Sequence, residues 1–170
     1  MSVRNNVPNK AERYYYAYLT EKRDAGYQSI HTPQHITLIP PFIAGRSEAL
    51  QTAGHVAEKL KPFYINLGEM ALFGPQNDIP VIIVEPCESI QELHGSLLGA
   101  LAERHIEING PEFIGQNYIP HISVKKFHYQ LVTDKPLIVD HIAVMHKYKN
   151  LKTVLAKYRL GERYDGEKTA

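Results

Sequence analysis

With 170 residues, 44% of them hydrophobic and 22% charged, the chain has the composition of one soluble globular domain. A formal net charge of +1 supplies no broad positive field, which excludes the coating of long nucleic acid but leaves room for a short anion that needs only local cations. Cys87 is the single cysteine, so neither an internal disulfide nor a cysteine-rich zinc site is available. No basic-then-apolar leader opens the sequence and no apolar run reaches the length of a membrane span, so a cytoplasmic protein without membrane contact is expected.

Residues 1–12 are polar, include Pro8 and show no periodicity, which predicts a flexible arm. Residues 13–19 (Arg-Tyr-Tyr-Tyr-Ala-Tyr-Leu) are rich in strand formers. Small Ala17 and apolar Leu19 assign Tyr15, Ala17 and Leu19 to a core face and Tyr14, Tyr16 and Tyr18 to a wetter one. Residues 20–34, with Gly26 and Pro33, read as a loop. A strand follows in which Ile36 and Leu38 point inward and His35 and Thr37 outward, stopped by Pro40-Pro41. Residues 47–61 form a helix with Ser47 as its cap and Leu50, Ala53, Gly54, Ala57 and Leu60 at helical spacing before Pro62. Strand character returns over residues 63–73, bent at Gly68, and residues 74–78 make a turn. Residues 80–84 are continuously apolar, the mark of a strand buried on both faces. A second helix is capped by Ser89 and buries Ile90, Leu93, Leu97, Leu98 and Leu101. After a break at Asn109-Gly110-Pro111 comes a second alternating strand, then strands over 137–148 and 153–160 and a polar tail over 161–170. Residues 13–160 are thus expected to form one α+β domain of antiparallel sheet with helices on its outer faces.

The second alternating strand, His121-Ile122-Ser123-Val124 followed by Lys125-Lys126-Phe127, repeats the pattern of His35-Ile36-Thr37-Leu38, 86 positions after it. Period 2 places each histidine and its hydroxyl on one face, about 6.5–7 Å apart. If the strands face each other, two imidazoles and two hydroxyls converge. One neutral and one protonated imidazole can then act as general base and general acid at a single centre. The hydroxyls, with Lys125, can hydrogen-bond the oxygens of a phosphate as charge develops there. That chemistry needs neither metal nor cofactor.

These twin motifs resemble the His-x-[Ser/Thr]-x pairs of the 2H phosphoesterase superfamily, which includes the bacterial 2′-5′ RNA ligase-like proteins and 2′,3′-cyclic phosphodiesterases. The resemblance spans residues 13–160. It implies two pseudo-symmetric lobes of antiparallel sheet around a central cleft. His35 and His121 would be the acid/base pair, and Thr37 and Ser123 the phosphate-oxygen ligands. It also implies a monomeric enzyme acting on a nucleotide or short RNA, and a product that keeps its phosphate on the 2′ oxygen. Tyr16 and Phe127 are the candidates for holding a base, as in single-strand binders.

Blander readings compete. A lone strand histidine is usually a surface or satisfied residue. His55, His94 and His105 fall on predicted helices and are expected at the surface. His31 and His128 lie near the motif strands, and His141 and His146 on a late strand remain open. Zinc binding by His35 and His121 would want further ligands that no local His pair provides. A duplicated, non-catalytic nucleotide- or RNA-binding module is the alternative function, with Phe42, Phe127 or Tyr118 as stacking platforms.

Overall fold

The structure, a computed structural model, describes residues 12–125 and 135–166. Among the described residues, ten strands and two α-helices run in the order β1 (Glu12–Leu19), β2 (Gln28–Ser29), β3 (His35–Phe42), α1 (Arg46–Lys59), β4 (Phe63–Ile65), β5 (Leu67–Phe73), β6 (Ile79–Val84), α2 (Glu88–Glu103), β7 (His121–Ser123), β8 (Leu137–Val139), β9 (His141–Tyr148) and β10 (Leu151–Arg159). Eight of the strands form one sheet in the order β2-β10-β9-β1-β3-β7-β6-β5, and β4 pairs with β8 apart from it. Every pairing is antiparallel. The expected α+β architecture is therefore present. The two half-sheets that carry the motifs are hydrogen-bonded into a single open sheet, and the join is the β3–β7 pair.

The main core lies on one face of this sheet. Ala49, Ala53, Val56 and Ala57 of α1 and Ile90, Leu93, Leu97 and Leu101 of α2 pack there against Tyr14, Tyr16, Tyr18, Ile36, Leu38, Ile122, Ile142 and Val144. A smaller cluster on the other face gathers Tyr15, Ala17, Leu19, Ala143, Met145 and Val154 under Tyr27 of the 20–34 segment. β1 lies between β3 and β9, so Tyr14 through Leu19 are buried on both faces. The wetter face expected for Tyr14, Tyr16 and Tyr18 is in fact the one the helices cover.

Local differences have local causes. Neither helix uses the expected serine as its cap. Gly45 and Cys87 occupy those positions, without a side-chain hydrogen bond. On α1, Ala49, Thr52 and Val56 are buried while Leu50 is half-exposed, a shift of the stripe that brings its small side chains against the sheet. The bend at Gly68 is present as a register shift between Leu67 and Met70. The span read as one strand over 137–148 breaks at Asp140 into β8 and β9. Residues 161–166, read as a tail, pack onto α1. The Gly161 N–H donates to the Ala57 carbonyl, the Tyr164 N–H to Glu58, and the Tyr164 ring lies where a side chain at Gly54 would stand.

Candidate active site

The two motifs meet where β3 joins β7. Ile36 stands opposite Ile122, and both are buried in the core beneath the helices. In an antiparallel ladder the residues flanking such a pair point to the other face of the sheet and oppose one another. That register sets His35 opposite Ser123 and Thr37 opposite His121, all four on the face away from the helices. The histidines are diagonal neighbours, about 7–8 Å apart. Each is half-buried. A tetrahedral phosphate fits between groups at that separation.

Both imidazoles are held in the same way. The His35 Nδ1–H donates to the Pro33 carbonyl at 2.7 Å, and the His121 Nδ1–H to the Ile119 carbonyl at 2.7 Å. A carbonyl oxygen only accepts, so Nδ1 carries the proton in each ring and Nε2 is the atom left for proton transfer. The Thr37 hydroxyl donates to His35 Nε2 at 3.2 Å. Each histidine also has an aromatic neighbour. The Tyr15 ring centroid is 6.0 Å from that of His35, and Phe73 meets His121 edge-on at 4.8 Å.

The register accounts for the face each neighbour shares. Ala17 and Leu19 stand opposite Thr37 and His35, which puts Tyr15 on the site's face. Val81 stands opposite Ser123 and Phe73 opposite Ile79, two residues before Val81, which puts Phe73 on the same face, while the partner of His121 is Ile83, four residues along β6 from Ile79. Burial pushes the Tyr15 phenol up to about 12, with the Thr32 side chain pulling it partly back.

Tyr16, expected to hold a base, does not reach the site. Its side chain has 0% exposure, and its hydroxyl donates to the Ala49 carbonyl of α1 at 2.7 Å. The side chains of β1 alternate between faces, so Tyr15 is the tyrosine beside His35. Lys125 is exposed just past Ser123, while Phe127 and His128 lie outside the described residues. Of the other stacking candidates, Phe42 is fully buried and Tyr118 nearly so.

His94, expected at the surface, is 2% exposed on α2. Its Nδ1–H donates to the Leu38 carbonyl at 2.7 Å, and its Nε2 accepts from the Gly115 N–H at 2.9 Å. It stacks on Tyr118 with centroids 3.9 Å apart, and the Tyr118 hydroxyl donates to the Thr37 carbonyl at 2.9 Å. Burial lowers the His94 pKa, with the bond to Leu38 opposing, and both ring nitrogens are occupied in the neutral form. His94 and Tyr118 thus clamp the backbone of the first motif from behind. The signal was in the sequence, since position 94 follows Ile90 by four and precedes Leu97 by three on the buried stripe.

His141 is likewise buried. It accepts the Leu19 N–H at Nε2 and donates from Nδ1 to Asp140, and burial lowers its pKa. His55 and His105 are exposed, as expected, and so is His31 on the 20–34 segment.

A cavity of about 400 Å³ opens between the start of α1 and residues 104–109 and contains none of the motif residues. Among the described residues, no three His, Cys, Asp or Glu side chains gather to hold a metal ion, and no helix is long and apolar enough to cross a membrane.

An open antiparallel sheet backed by two helices, with twin His-x-hydroxyl strands side by side on its free face, defines the class of small paired-histidine α+β proteins. A family model described as the 2′-5′ RNA ligase superfamily matches residues 9–147, and the chain belongs to that superfamily. A Bacillus licheniformis protein named provisionally as a phosphoesterase is 27% identical over 107 residues, 61% of this chain and 57% of the relative's length. Among solved structures, TT0787 of Thermus thermophilus superposes with a TM-score of 0.56 at 20% identity, over 89% of this chain and 100% of that one. Escherichia coli LigT, solved in complex with 3′-AMP, gives 0.57 at 15% identity over 89% and 99%. Such distant likeness carries the fold alone.

Proposed function

We propose that the chain is a phosphodiesterase that opens 2′,3′-cyclic phosphates or cleaves 2′-5′ linkages in nucleotides or short RNA, with His35 and His121 as the acid/base pair. The observation that carries this reading is the diagonal placement of two imidazoles on one face, each with Nδ1–H committed to a carbonyl two residues back, so that Nε2 is the nitrogen that can accept a proton, at His35 in place of its bond from Thr37. One neutral Nε2 takes the proton from an attacking water as its oxygen bonds to phosphorus. The other imidazolium gives its proton to the ribose oxygen as the P–O bond breaks. Thr37 and Ser123 hydrogen-bond the non-bridging oxygens as negative charge grows on them. One chain supplies all four groups, so a monomer suffices. Resemblance to LigT, solved with 3′-AMP, supports a nucleotide beside the two histidines.

The direct test is turnover of a 2′,3′-cyclic mononucleotide by purified protein, with and without exhaustive chelation. Turnover that survives EDTA is expected, because the pair and its hydroxyls supply the proton transfers and charge stabilisation themselves. Binding without turnover would favour a nucleotide-binding module. Loss of activity restored by zinc or manganese would reassign the site to metal-assisted hydrolysis.

A further inference from the structure

The site's face carries a second chemical feature, a row of cations. Arg13 of β1 stands directly opposite Lys147 of β9, and Lys147 directly opposite Lys152 of β10. Two residues along the same strands, Tyr15 opposes Met145 and Met145 opposes Val154. These side chains belong to the cluster on the face that bears His35, so alternation puts the three cations on that face too. Like charges directly opposite each other in an antiparallel pair destabilise it. Among the described residues, no carboxylate lies within ion-pair distance of any of the three, the pairs present being Arg23–Glu21 and His141–Asp140. The chain as a whole is nearly neutral, at +1, so this is a local concentration of charge.

The row lies four residues along β1 from Ala17, which faces Thr37, a distance of about 13 Å. The segment after β2 crosses the same face on its way from β10 to β3. Lys152 Nζ donates to the Ile30 carbonyl, which fixes one end of that crossing and points the ammonium along it. Burial lowers the Lys152 pKa, and the charges of Lys147 and then Lys125 lower it further. Lys125, which follows Ser123, is therefore near enough to act on Lys152, and it links the two regions.

We propose that Arg13, Lys147 and Lys152 form a second anion subsite, which takes a further phosphate of a substrate whose reacting diester lies between His35 and His121. The proposal rests on the phosphodiesterase reading and sharpens it. The substrate class becomes one with at least two phosphates, because a nucleotide with a single phosphate does not span the gap. The second phosphate is either a diester further along an oligonucleotide or the polyphosphate of a mononucleotide.

The experiment measures binding, so it does not depend on turnover. Affinities of a mononucleotide, its 5′-triphosphate and a trinucleotide are compared for wild type, Arg13→Gln, Lys147→Gln, Lys152→Gln and the triple variant. Wild type should prefer one of the two polyanions over the mononucleotide, and which one it prefers identifies the source of the second phosphate. Each substitution should weaken that polyanion about two- to fivefold, as exposed charge pairs do. The triple variant should also show a shallower salt dependence, with mononucleotide affinity unchanged. Relief of like-charge opposition should leave the melting temperature of Lys147→Gln equal to or above wild type, so misfolding is not confused with lost binding. Equal wild-type affinity for all three ligands, or polyanion affinity untouched in the triple variant, overturns the subsite. If polyanion binding follows the row while cyclic phosphates are not turned over, the subsite stands and the phosphodiesterase reading falls.

Discussion

The two halves of the site build the same group from different supports. His35 opens an eight-residue strand with neighbours on both sides, β1 and β7. His121 opens a three-residue strand held between β3 and β6. The first motif is clamped from behind by His94 and Tyr118, and its aromatic neighbour Tyr15 is buried in a core cluster. The second has the half-buried Phe73 from the edge strand β5. Even so, both imidazoles meet a carbonyl two residues back at 2.7 Å. The tautomer depends on local strand geometry, which each motif carries with it. Rigidity depends on the surroundings, which differ.

The strongest way to break this comparison is to remove each imidazole in turn. His35→Ala and His121→Ala should each lower kcat on a cyclic phosphate by about 10²–10⁴, and the double variant should lose far less than the product, since the pair acts as a unit. Unchanged turnover in either single variant would show that the halves are not equivalent and end the acid/base assignment. The wild-type rate should be bell-shaped in pH, because one member must accept a proton while the other donates.

Next comes the clamp. His94→Ala leaves the buried Leu38 carbonyl without a partner, while the N–H of exposed Gly115 can turn to water, and should cost about 1–3 kcal/mol in urea denaturation. Tyr118→Phe removes one hydrogen bond and should cost about 1 kcal/mol. Both act on the first motif, so a rise in KM without loss of stability would contradict a positioning role.

A smaller effect follows from pH. Burial depresses His94, His141 and His146 below the ordinary histidine value in the folded state. The unfolded chain therefore binds more protons as pH falls below about 6.5, and stability present above that value is lost on acidification. Denaturation midpoints at pH 7.5 and 5.5 should fall in that order for wild type. His94→Gln should show a shallower fall, and an unaltered slope would mean that His94 is not held neutral.

The smallest effect probes the aromatic neighbour of the second histidine. Phe73→Leu forfeits an edge-on ring contact worth about 0.5–1.5 kcal/mol and should change kcat by no more than about tenfold. A loss as large as that of His121→Ala would mean that Phe73 touches substrate.

The sequence by itself determined which side chains make up the candidate site. Alternation over His35–Leu38 and His121–Val124 set imidazole and hydroxyl on one face with aliphatic side chains on the other, because a half-buried strand must sort its side chains by polarity. It determined both helices and most strands, since their apolar spacing is local. It did not determine which face of residues 14–19 meets the cleft, and the tertiary structure exchanged Tyr16 for Tyr15. A central strand covered by helices on one side and by a loop on the other buries all its side chains, so polarity no longer marks its faces. The helical spacing places His94 on the buried stripe but does not give its role as a clamp, since only the carbonyl of Leu38 and the N–H of Gly115, brought from distant parts of the chain, make a neutral imidazole stable there. The diagonal placement of the two catalytic candidates and the alignment of Arg13, Lys147 and Lys152 likewise follow from strand register, which long-range pairing sets and no local pattern records.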